Sequence, residues 1–226
     1  MIIERLNKID STNNYIEKYV KKRENSVVTA DCQTGGKGTK GRSFVSEKGG
    51  LYMSRLTFYD FFPAKDAFKI MIDYSVGVVK TLKAFNVNAV IKWPNDVLVF
   101  DKKICGILIK NSFSGDFIDY SLVGVGININ NPIGEDIKDI AISTEQILGK
   151  KLDIDAVLFT LLKNLEEGSS VEEYRGYSTV IGKKVTVIKG EKIYEAVAED
   201  ILTDGRLKLK SGEILSAAEL DLKIKI

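Results

Sequence analysis

The stretch IKWPNDVLVFDKKICGILIK, residues 91–110, is the part of the sequence that is most informative about the fold. Residues 92–96 place a cation, an indole, a proline, an amide and a carboxylate at the end of a strand-like segment. On the return strand, Lys103 can lean over a pocket, and Gly106 allows the backbone to approach a ligand closely. We therefore expect a β-hairpin that carries part of a binding site.

Strands and helices are predicted on both sides of this hairpin. The strand pattern covers residues 26–32, 50–58, 89–93, 97–100, 104–110 and 117–127. The last four form an antiparallel meander, with Asp101 and Lys102 as one of its turns. A first helix has its cap candidates at residues 10–12 and is expected to end near Glu24. Later helices are predicted over residues 64–85, 143–148 and 155–174.

After about Tyr177 the pattern changes to short strands that are separated by glycine-containing turns at 189–190, 204–205 and 211–212. Such spacing is typical of a small β-barrel. We therefore expect an α+β protein with a larger domain over residues 1–177 and a small β domain over residues 178–226.

Composition excludes several kinds of function. The 226 residues include 33 Lys and Arg against 31 Asp and Glu, a net charge of +2, so no overall basic field indicates a nucleic-acid or membrane partner. The N-terminus does not resemble a signal peptide, and no apolar run is long enough to span a bilayer, so we expect a cytoplasmic protein. The complete absence of histidine excludes Ser-His-Asp and Cys-His catalysis and His-ligated zinc. Cys32 and Cys105 are expected to be unpaired, buried residues.

The glycine loop GGKGTKGRSF, residues 35–44, holds four glycines and three cations. It contains G-x-G-x-x-G, but a strand follows where a dinucleotide-binding fold requires a helix. The kinase and Walker A patterns also fail, because their partner motifs are missing. A phosphate-binding loop and a flexible lysine-rich surface turn both fit this stretch when it is read alone.

Several motifs together resemble the biotin protein ligases in order and spacing. They are Ser11-Thr12-Asn13, the loop from Gln33 through Arg42 to Phe44, Ser46 with Gly49-Gly50-Leu51, Lys92-Trp93-Pro94-Asn95-Asp96, Lys103 with Gly106-Ile107-Leu108, and Gly124-x-Gly126-Ile127-Asn128. The similarity is strong over residues 10–130 and weak in the C-terminal part. It implies a catalytic domain like that of class II aminoacyl-tRNA synthetases, followed by an SH3-like barrel.

The resemblance also implies a two-step reaction. Biotin reacts with ATP, which carries its own Mg²⁺, to give biotinyl-5′-adenylate, and the biotinyl group then passes to a lysine. The acceptor is the biotin carboxyl carrier protein domain of a biotin-dependent carboxylase. No dedicated protein ligands for a metal are expected. The resemblance implies a ligase without the N-terminal helix-turn-helix region that gives some relatives a repressor role, and it leaves a homodimer open.

Site residues are assigned from the same resemblance. Biotin is expected to contact Ser11, Thr12, Asn13, Gln33, Gly36, Lys37, Lys103 and Gly106. ATP and the adenylate are expected to contact Lys37, Thr39, Lys40, Arg42, Phe44, Trp93, Asn95 and Asn128. The catalytic candidates are Lys103 and Arg42, which would stabilise phosphate charge, and Asp96, which would act as a base or position the acceptor amine.

The glycine loop departs from the family pattern at two positions. The family commonly has arginine where this chain has Lys37 and Thr39, and neither of these residues has the guanidinium group that makes a bidentate phosphate contact. We expect the glycine loop to be mobile without ligand and to close over the adenylate. The alternatives are a lipoate or octanoyl ligase or transferase of the same superfamily, and a non-catalytic biotin-binding sensor or corepressor.

Overall fold

The protein is an α+β structure with two sheets. The computed structural model describes residues 2–189, 191–216 and 221–224, with Lys40 and residues 221–224 described by their backbone only. The strands are β1 (Ile2–Ile9), β2 (Ser26–Gln33), β3 (Leu51–Pro63), β4 (Val90–Lys92), β5 (Asp96–Val99), β6 (Lys102–Ser114), β7 (Phe117–Ile127), β8 (Lys184–Lys189), β9 (Lys192–Ile201), β10 (Leu207–Leu209), β11 (Ile214–Leu215) and β12 (Asp221–Ile224). The helices are α1 (Thr12–Tyr15), α2 (Phe68–Ala84), α3 (Thr144–Leu148), α4 (Ile154–Glu167) and α5 (Val171–Tyr177).

A seven-stranded sheet forms the larger part of the molecule, in the order β1-β2-β3-β7-β6-β5-β4. Strands β4 to β7 are the predicted antiparallel meander, which is confirmed. Strand β1, which the sequence did not predict, pairs with β2 in parallel at the edge of the sheet. Its residues are mostly exposed or half-buried, so the apolar alternation that marks a strand is missing from IIERLNKI.

Helix α2 covers one face of the sheet and supplies much of the core, with α4 and α5 packed beside it. The helix predicted over residues 155–174 is two helices. Gly168 ends α4 at a φ of +69°, and Ser170 opens α5 with a capping box to Glu173. The first helix is also shorter than predicted: α1 passes into a 3-10 turn at Ile16–Tyr19. In the described part of the chain, no helix is long and apolar enough to cross a membrane.

The C-terminal strands form a separate five-stranded antiparallel sheet, in the order β11-β10-β9-β8-β12, which we call the small sheet. The predicted glycine turns at 204–205 and 211–212 are present, with Gly205 and Gly212 at φ values of +82° and +87°, whereas Gly190 of the third predicted turn lies outside the described residues. The side chain of Arg175 in α5 donates a hydrogen bond of 2.7 Å from Nε to the carbonyl of Ile201. The small sheet therefore contacts the larger part of the molecule directly.

Glu4 joins β1 to the first helical segment, which begins at Thr12. Its carboxylate accepts hydrogen bonds from the hydroxyls of Tyr15, at 2.6 Å, and of Tyr19, and lies 3.1 Å from Lys18 Nζ. These hydrogen bonds, with that of Tyr15 contributing most, lower the pKa of Glu4 from 4.5 to about 2. The interaction stabilises the fold above the unfolded-state pKa and is lost as the pH falls through the folded-state pKa.

A Tyr15→Phe variant is therefore expected to have a pH-dependent stability defect. At neutral pH the free energy of unfolding should fall by about 1 to 2 kcal/mol, the usual contribution of a hydrogen bond to a charged group. The difference from the parent protein should shrink as the pH is lowered from 4.5 towards 2, because Glu4 becomes protonated. Urea unfolding across this pH range measures it, and an unchanged difference at every pH would contradict the assignment.

Candidate active site

One cavity lies where the start of α1, the glycine loop and the middle of β6 and β7 meet. Its lining residues are Thr12, Asn13, Gln33, Lys37, Gly38, Thr39, Phe44, Met53, Asn95, Lys103, Gly106, Ile107, Leu108, Gly124, Val125 and Gly126. The lining joins segments that are far apart in sequence because β2, β3, β7, β6 and β5 are neighbours in the sheet. The sheet thus brings the separate polar motifs to one place.

The floor of the cavity is made of glycines. Gly106 and Gly126 are directly paired across β6 and β7, and the ring of Phe44 lies on them. A Cβ atom at Gly126 would stand 2.6 Å from Phe44 Cε1, and one at Gly124 would stand 2.5 Å from Asn13 Nδ2. With Phe44 in this position the cavity holds about 30 Å³, room for one or two water molecules. Phe44 and the glycine loop therefore limit the space above the floor.

Neutral polar groups line one end of the cavity. The backbone N–H and the hydroxyl of Thr12 donate to Gln33 Oε1 at 2.8 and 3.0 Å. Gln33 Nε2 in turn donates to Ser46 Oγ at 2.9 Å, and Ser54 Oγ lies 2.8 Å from Thr12 Oγ1. Beside this network the hydroxyl of Ser11 is buried and has no hydrogen-bond partner among the described residues. A buried polar atom without a hydrogen-bond partner is costly in free energy, so the Ser11 hydroxyl is a candidate for contact with a ligand.

An ion pair lies at the other end. Lys103 Nζ is 2.7 Å from Asp96 Oδ1 and 5.8 Å from the centre of the Phe44 ring. Two hydrogen bonds join Asn95 to Ile107 in β6. Asn95 Nδ2 donates to the Ile107 carbonyl at 3.0 Å, and the Ile107 N–H donates to the backbone carbonyl of Asn95 at 3.1 Å. Cys105 is fully buried nearby, and burial raises the pKa of its thiol, so it is not a thiolate nucleophile. Lys103 is therefore the cation that borders the cavity from the hairpin.

The glycine loop folds back on itself and covers the cavity. Backbone hydrogen bonds run from Gly38 N to the Arg42 carbonyl at 2.7 Å and from Phe44 N to the Gly36 carbonyl at 2.9 Å. Lys37 Nζ donates to Asn14 Oδ1 at 2.7 Å, and Asn14 Nδ2 donates to Asp10 Oδ2 at 2.6 Å. The Asn14 contact is the main reason that the pKa of Asp10 is lowered. The loop is thus held against α1 in this conformation.

Comparison with known proteins places this cavity in a family. The model of the Biotin/lipoate A/B protein ligase family matches residues 6–128, which contain the cavity and its motifs. The chain belongs to this family.

Three similar proteins extend the match beyond those residues. The bifunctional ligase/repressor BirA of Bacillus subtilis is 32% identical over 200 residues, which cover 86% of this chain and 58% of the relative. The chain therefore spans less than two thirds of that protein. The biotin protein ligase of Aquifex aeolicus, solved in complex with biotin and ATP, has a TM-score of 0.80 and 26% identity over 99% of both chains. A Leishmania major biotin protein ligase in complex with biotinyl-5-AMP shares the fold, with a TM-score of 0.65 and 23% identity over 95% of this chain and 98% of that one.

Nine of the residues predicted from the family resemblance line the cavity. They are Thr12, Asn13, Gln33, Lys37, Thr39, Phe44, Asn95, Lys103 and Gly106. Ser11, Gly36 and Asp96 are outside the lining but are connected to it. Ser11 precedes Thr12 in sequence, the Gly36 carbonyl accepts from the Phe44 N–H, and Asp96 pairs with Lys103. Arg42 is in the loop, outside the lining. The side chain of Lys40 lies outside the described part of the structure.

Trp93 and Asn128 do not line the cavity. The indole of Trp93 is buried in the core, and its N–H donates to the Gly205 carbonyl at 2.9 Å. Asn128 is buried as well, and its Oδ1 accepts from Asn131 Nδ2 at 3.1 Å. The adenylate contacts expected of these two residues stay predictions.

The residues that sequence reasoning missed come mainly from β3 and β7. Met53, Gly124, Val125 and Gly126 line the cavity, and Ser54 belongs to its hydrogen-bond network. The pair of glycines in Gly124-x-Gly126 was a signal, because glycine inside a strand often marks the close approach of a ligand or another backbone. Met53 and Ser54 carried no comparable signal in the sequence.

Proposed function

We propose that this protein activates biotin with Mg·ATP to form biotinyl-5′-adenylate and transfers the biotinyl group to a lysine of a biotin carboxyl carrier protein domain. The observation that carries the proposal is the arrangement of the cavity. A neutral hydrogen-bonding network around Gln33 and Thr12 lies at one end, and the Lys103–Asp96 pair lies at the other. A glycine floor separates them. This arrangement suits a substrate with a neutral polar ring and a reactive carboxylate.

In the first step, a biotin carboxylate oxygen would attack the α-phosphorus of ATP, and the bond to pyrophosphate would break. Two anions must approach each other, so the site needs cations and N–H donors near the phosphorus centre. Lys103 borders the cavity and would neutralise the charge that builds as pyrophosphate leaves. The backbone amides of the glycine loop, together with Lys37, Lys40 and Arg42, would hold the phosphates.

In the second step, the acceptor amine would attack the acyl carbon of the adenylate, and AMP would leave as the C–O bond breaks. The attacking lysine must lose a proton. Asp96 is the carboxylate nearest to Lys103, at 2.7 Å, and would accept that proton or position the amine. The chain has no histidine to take this role.

We assign biotin contacts to the neutral end of the cavity. Ser11, with its unpartnered hydroxyl, and the Thr12–Gln33 pair would hydrogen-bond the ureido group, with Asn13 beside them. Gly36, Lys37 and Gly106 would line the pocket, while Thr39, Phe44 and Asn95 would contact the adenylate. The biotin protein ligase of Aquifex aeolicus, which was solved with biotin and ATP, supports a site for both molecules in this chain.

We further propose that the chain is organised as a catalytic domain over residues 1–177, of the class II aminoacyl-tRNA-synthetase-like type, and an SH3-like barrel over residues 178–226. The change from a seven-stranded to a five-stranded sheet supports the division. Because the proposed reaction uses ATP and a carboxylase carrier domain, we place it in the cytoplasm.

Transfer of labelled biotin to a purified carrier domain tests the proposed function. Label should appear on the carrier only when Mg·ATP is present, and a carrier whose acceptor lysine is replaced by arginine is the control. Absence of label on the intact carrier would contradict the transfer step. Label on the carrier from lipoate or octanoate in place of biotin would support the alternative acyl substrates. A sensor without catalysis would bind biotin and transfer none.

Trypsin is expected to report closure of the glycine loop. Cleavage after Lys37, Lys40 or Arg42 requires the loop to leave the folded conformation that it adopts here. A ligand at a hundred times its Kd lowers the open population on the order of a hundredfold, so biotin plus Mg·ATP should slow cleavage by about that factor. ATP alone should not slow it.

A Thr39→Arg variant provides the comparison for the loop. It introduces the arginine that the family commonly has at this position, and an additional charge-assisted contact should slow release of the adenylate, which is measured directly because the substitution itself adds a trypsin site. Equal cleavage rates with and without ligands would show that the loop does not hold the adenylate.

A further inference from the structure

The turn between β4 and β5, residues 93–95, faces two different parts of the molecule. Its first residue, Trp93, has a buried side chain whose indole N–H donates to the Gly205 carbonyl at 2.9 Å. Gly205 belongs to the turn between β9 and β10 of the small sheet. This hydrogen bond links the middle of the motif Lys92-Trp93-Pro94-Asn95-Asp96 to the small sheet, over a sequence separation of 112 residues.

A second set of contacts surrounds the same turn. The hydroxyl of Tyr174 donates to the Pro94 carbonyl at 2.7 Å, and its ring packs edge-on against Phe68 with 5.6 Å between centroids. Gly205 lies on the Phe68 ring so closely that a Cβ atom there would stand 2.0 Å from Phe68 Cγ. Trp93, Pro94, Tyr174, Phe68 and Gly205 therefore form one continuous packed cluster, which we call the turn clamp.

The next two residues of the chain are connected to the active-site cavity. Asn95 lines the cavity and is bound to Ile107 by a side-chain and a backbone hydrogen bond. Asp96 is 2.7 Å from the ammonium nitrogen of Lys103. Because the four residues 93–96 are consecutive, a displacement of Trp93 or Pro94 must also move Asn95 and Asp96.

We propose that Trp93 is a positioning residue, which couples the small sheet to Lys103 through Asp96. The turn clamp holds residues 93 and 94, and this fixes the Asn95–Ile107 hydrogen bonds and the orientation of the Lys103 ammonium group. The catalytic part of this inference rests on the proposed function, whereas the mechanical coupling does not. The neutral end of the cavity, around Thr12 and Gln33, is built on other strands and stays outside the coupling.

Two glycines of the small sheet provide a matched pair of variants. Gly205 and Gly212 have nearly the same φ, +82° and +87°, so alanine causes similar backbone strain at both positions. A Cβ atom at Gly205 would strike Phe68, whereas a Cβ atom at Gly212 would meet nothing within 4 Å. Differences between Gly205→Ala and Gly212→Ala therefore report the turn clamp rather than the stability of the turn.

Hydrogen exchange of the Ile107 amide measures the mechanical coupling, since this N–H is bonded to the Asn95 carbonyl. Exchange should be about tenfold faster in Gly205→Ala than in Gly212→Ala, because the clamped region opens more often. The emission of Trp93, the only tryptophan of the chain, should shift to the red in Gly205→Ala alone. Identical exchange and emission in the two variants would overturn the proposal, whatever substrate the protein uses.

Trp93→Phe is the milder variant for kinetics, because it removes the indole N–H and keeps an aromatic ring. Its kcat for biotin-dependent pyrophosphate exchange should fall by about tenfold, while the KM for biotin stays within about twofold, since only the Lys103 end is disturbed. Tyr174→Phe, which removes the other hydrogen bond of the clamp, should shift kcat in the same direction. A rise in KM with unchanged kcat would contradict the positioning role. If the parent protein does not react with biotin but exchange of the Ile107 amide still differs between Gly205→Ala and Gly212→Ala, the proposed function is refuted and the coupling stands.

Discussion

Replacing Lys103 with alanine is expected to slow biotin-dependent ATP–pyrophosphate exchange by roughly thirty- to a thousandfold. Loss of a charge-assisted contact to a developing oxyanion typically raises the barrier by about 2 to 4 kcal/mol, which corresponds to that range. Lys103 is the lysine that β6 presents to the cavity, where it is paired with Asp96 at 2.7 Å. The rate of label exchange between pyrophosphate and ATP measures the effect.

The neighbouring Lys102 is the matched control. Its ammonium group donates to the carbonyl of Lys138 at 2.7 Å, and it does not line the cavity. Lys102→Ala should therefore exchange at nearly the parental rate. A folded Lys103→Ala protein that also retains the parental rate would refute the assignment of Lys103 as the principal electrostatic catalyst.

Adding a single methyl group to the cavity floor is expected to have the second-largest effect. In Gly126→Ala the new Cβ would stand 2.6 Å from Phe44 Cε1, on the surface where the substrate would lie. Overpacking costs about 1 to 3 kcal/mol, so biotin should bind roughly 5- to 150-fold more weakly. Gly126→Ala should weaken biotin binding more than it destabilises the fold, because the Phe44 ring can shift, whereas bound biotin would have to contact the new methyl group. Titration calorimetry with biotin measures it.

Gly176→Ala is the control for the floor variant. Gly176 lies in α5, and a Cβ atom there would meet nothing within 4 Å. Its affinity for biotin should match that of the parent protein. If Gly126→Ala binds biotin as tightly as Gly176→Ala does, the glycine floor is not the substrate surface.

The hairpin of residues 91–110 shows what the sequence can predict. Alternating apolar residues and a short turn determine the pairing of β5 with β6, and this pairing brings Lys103 beside Asp96. Phe100 and Asp101 have positive φ values, as a tight hairpin turn requires, one residue earlier than predicted. Local chemistry and local geometry are sufficient here because the two groups are only seven residues apart in sequence.

Trp93 shows what the sequence cannot predict. A motif gives residue types and spacing, but the side of the turn that faces the cavity depends on distant elements. In this fold Trp93 is hydrogen-bonded to the small sheet and Pro94 to α5. Of the following residues, Asn95 lines the cavity and Asp96 pairs with Lys103. Strand β1 was missed for a related reason, since its place at the sheet edge imposes little apolar alternation.

The position of Phe44 is a further property of the tertiary structure. Its ring rests on glycines from β6 and β7, which are 20 residues apart in sequence and are joined only by strand pairing. Sequence reasoning marked Phe44 as an adenylate contact but gave no indication that its ring would lie on the cavity floor. Because Phe44 ends the glycine loop and its ring lies on the cavity floor, we expect movement of the loop to change access of the substrate to the cavity.

Biotin-dependent ATP–pyrophosphate exchange, measured in parallel with lipoate and octanoate, shows which acid this site activates. It isolates formation of the acyl-adenylate from transfer to any carrier protein. We predict that label enters ATP when biotin and Mg²⁺ are present and not when lipoate or octanoate replaces biotin. Exchange with lipoate or octanoate but not with biotin, or no exchange with any of the three acids, would contradict it.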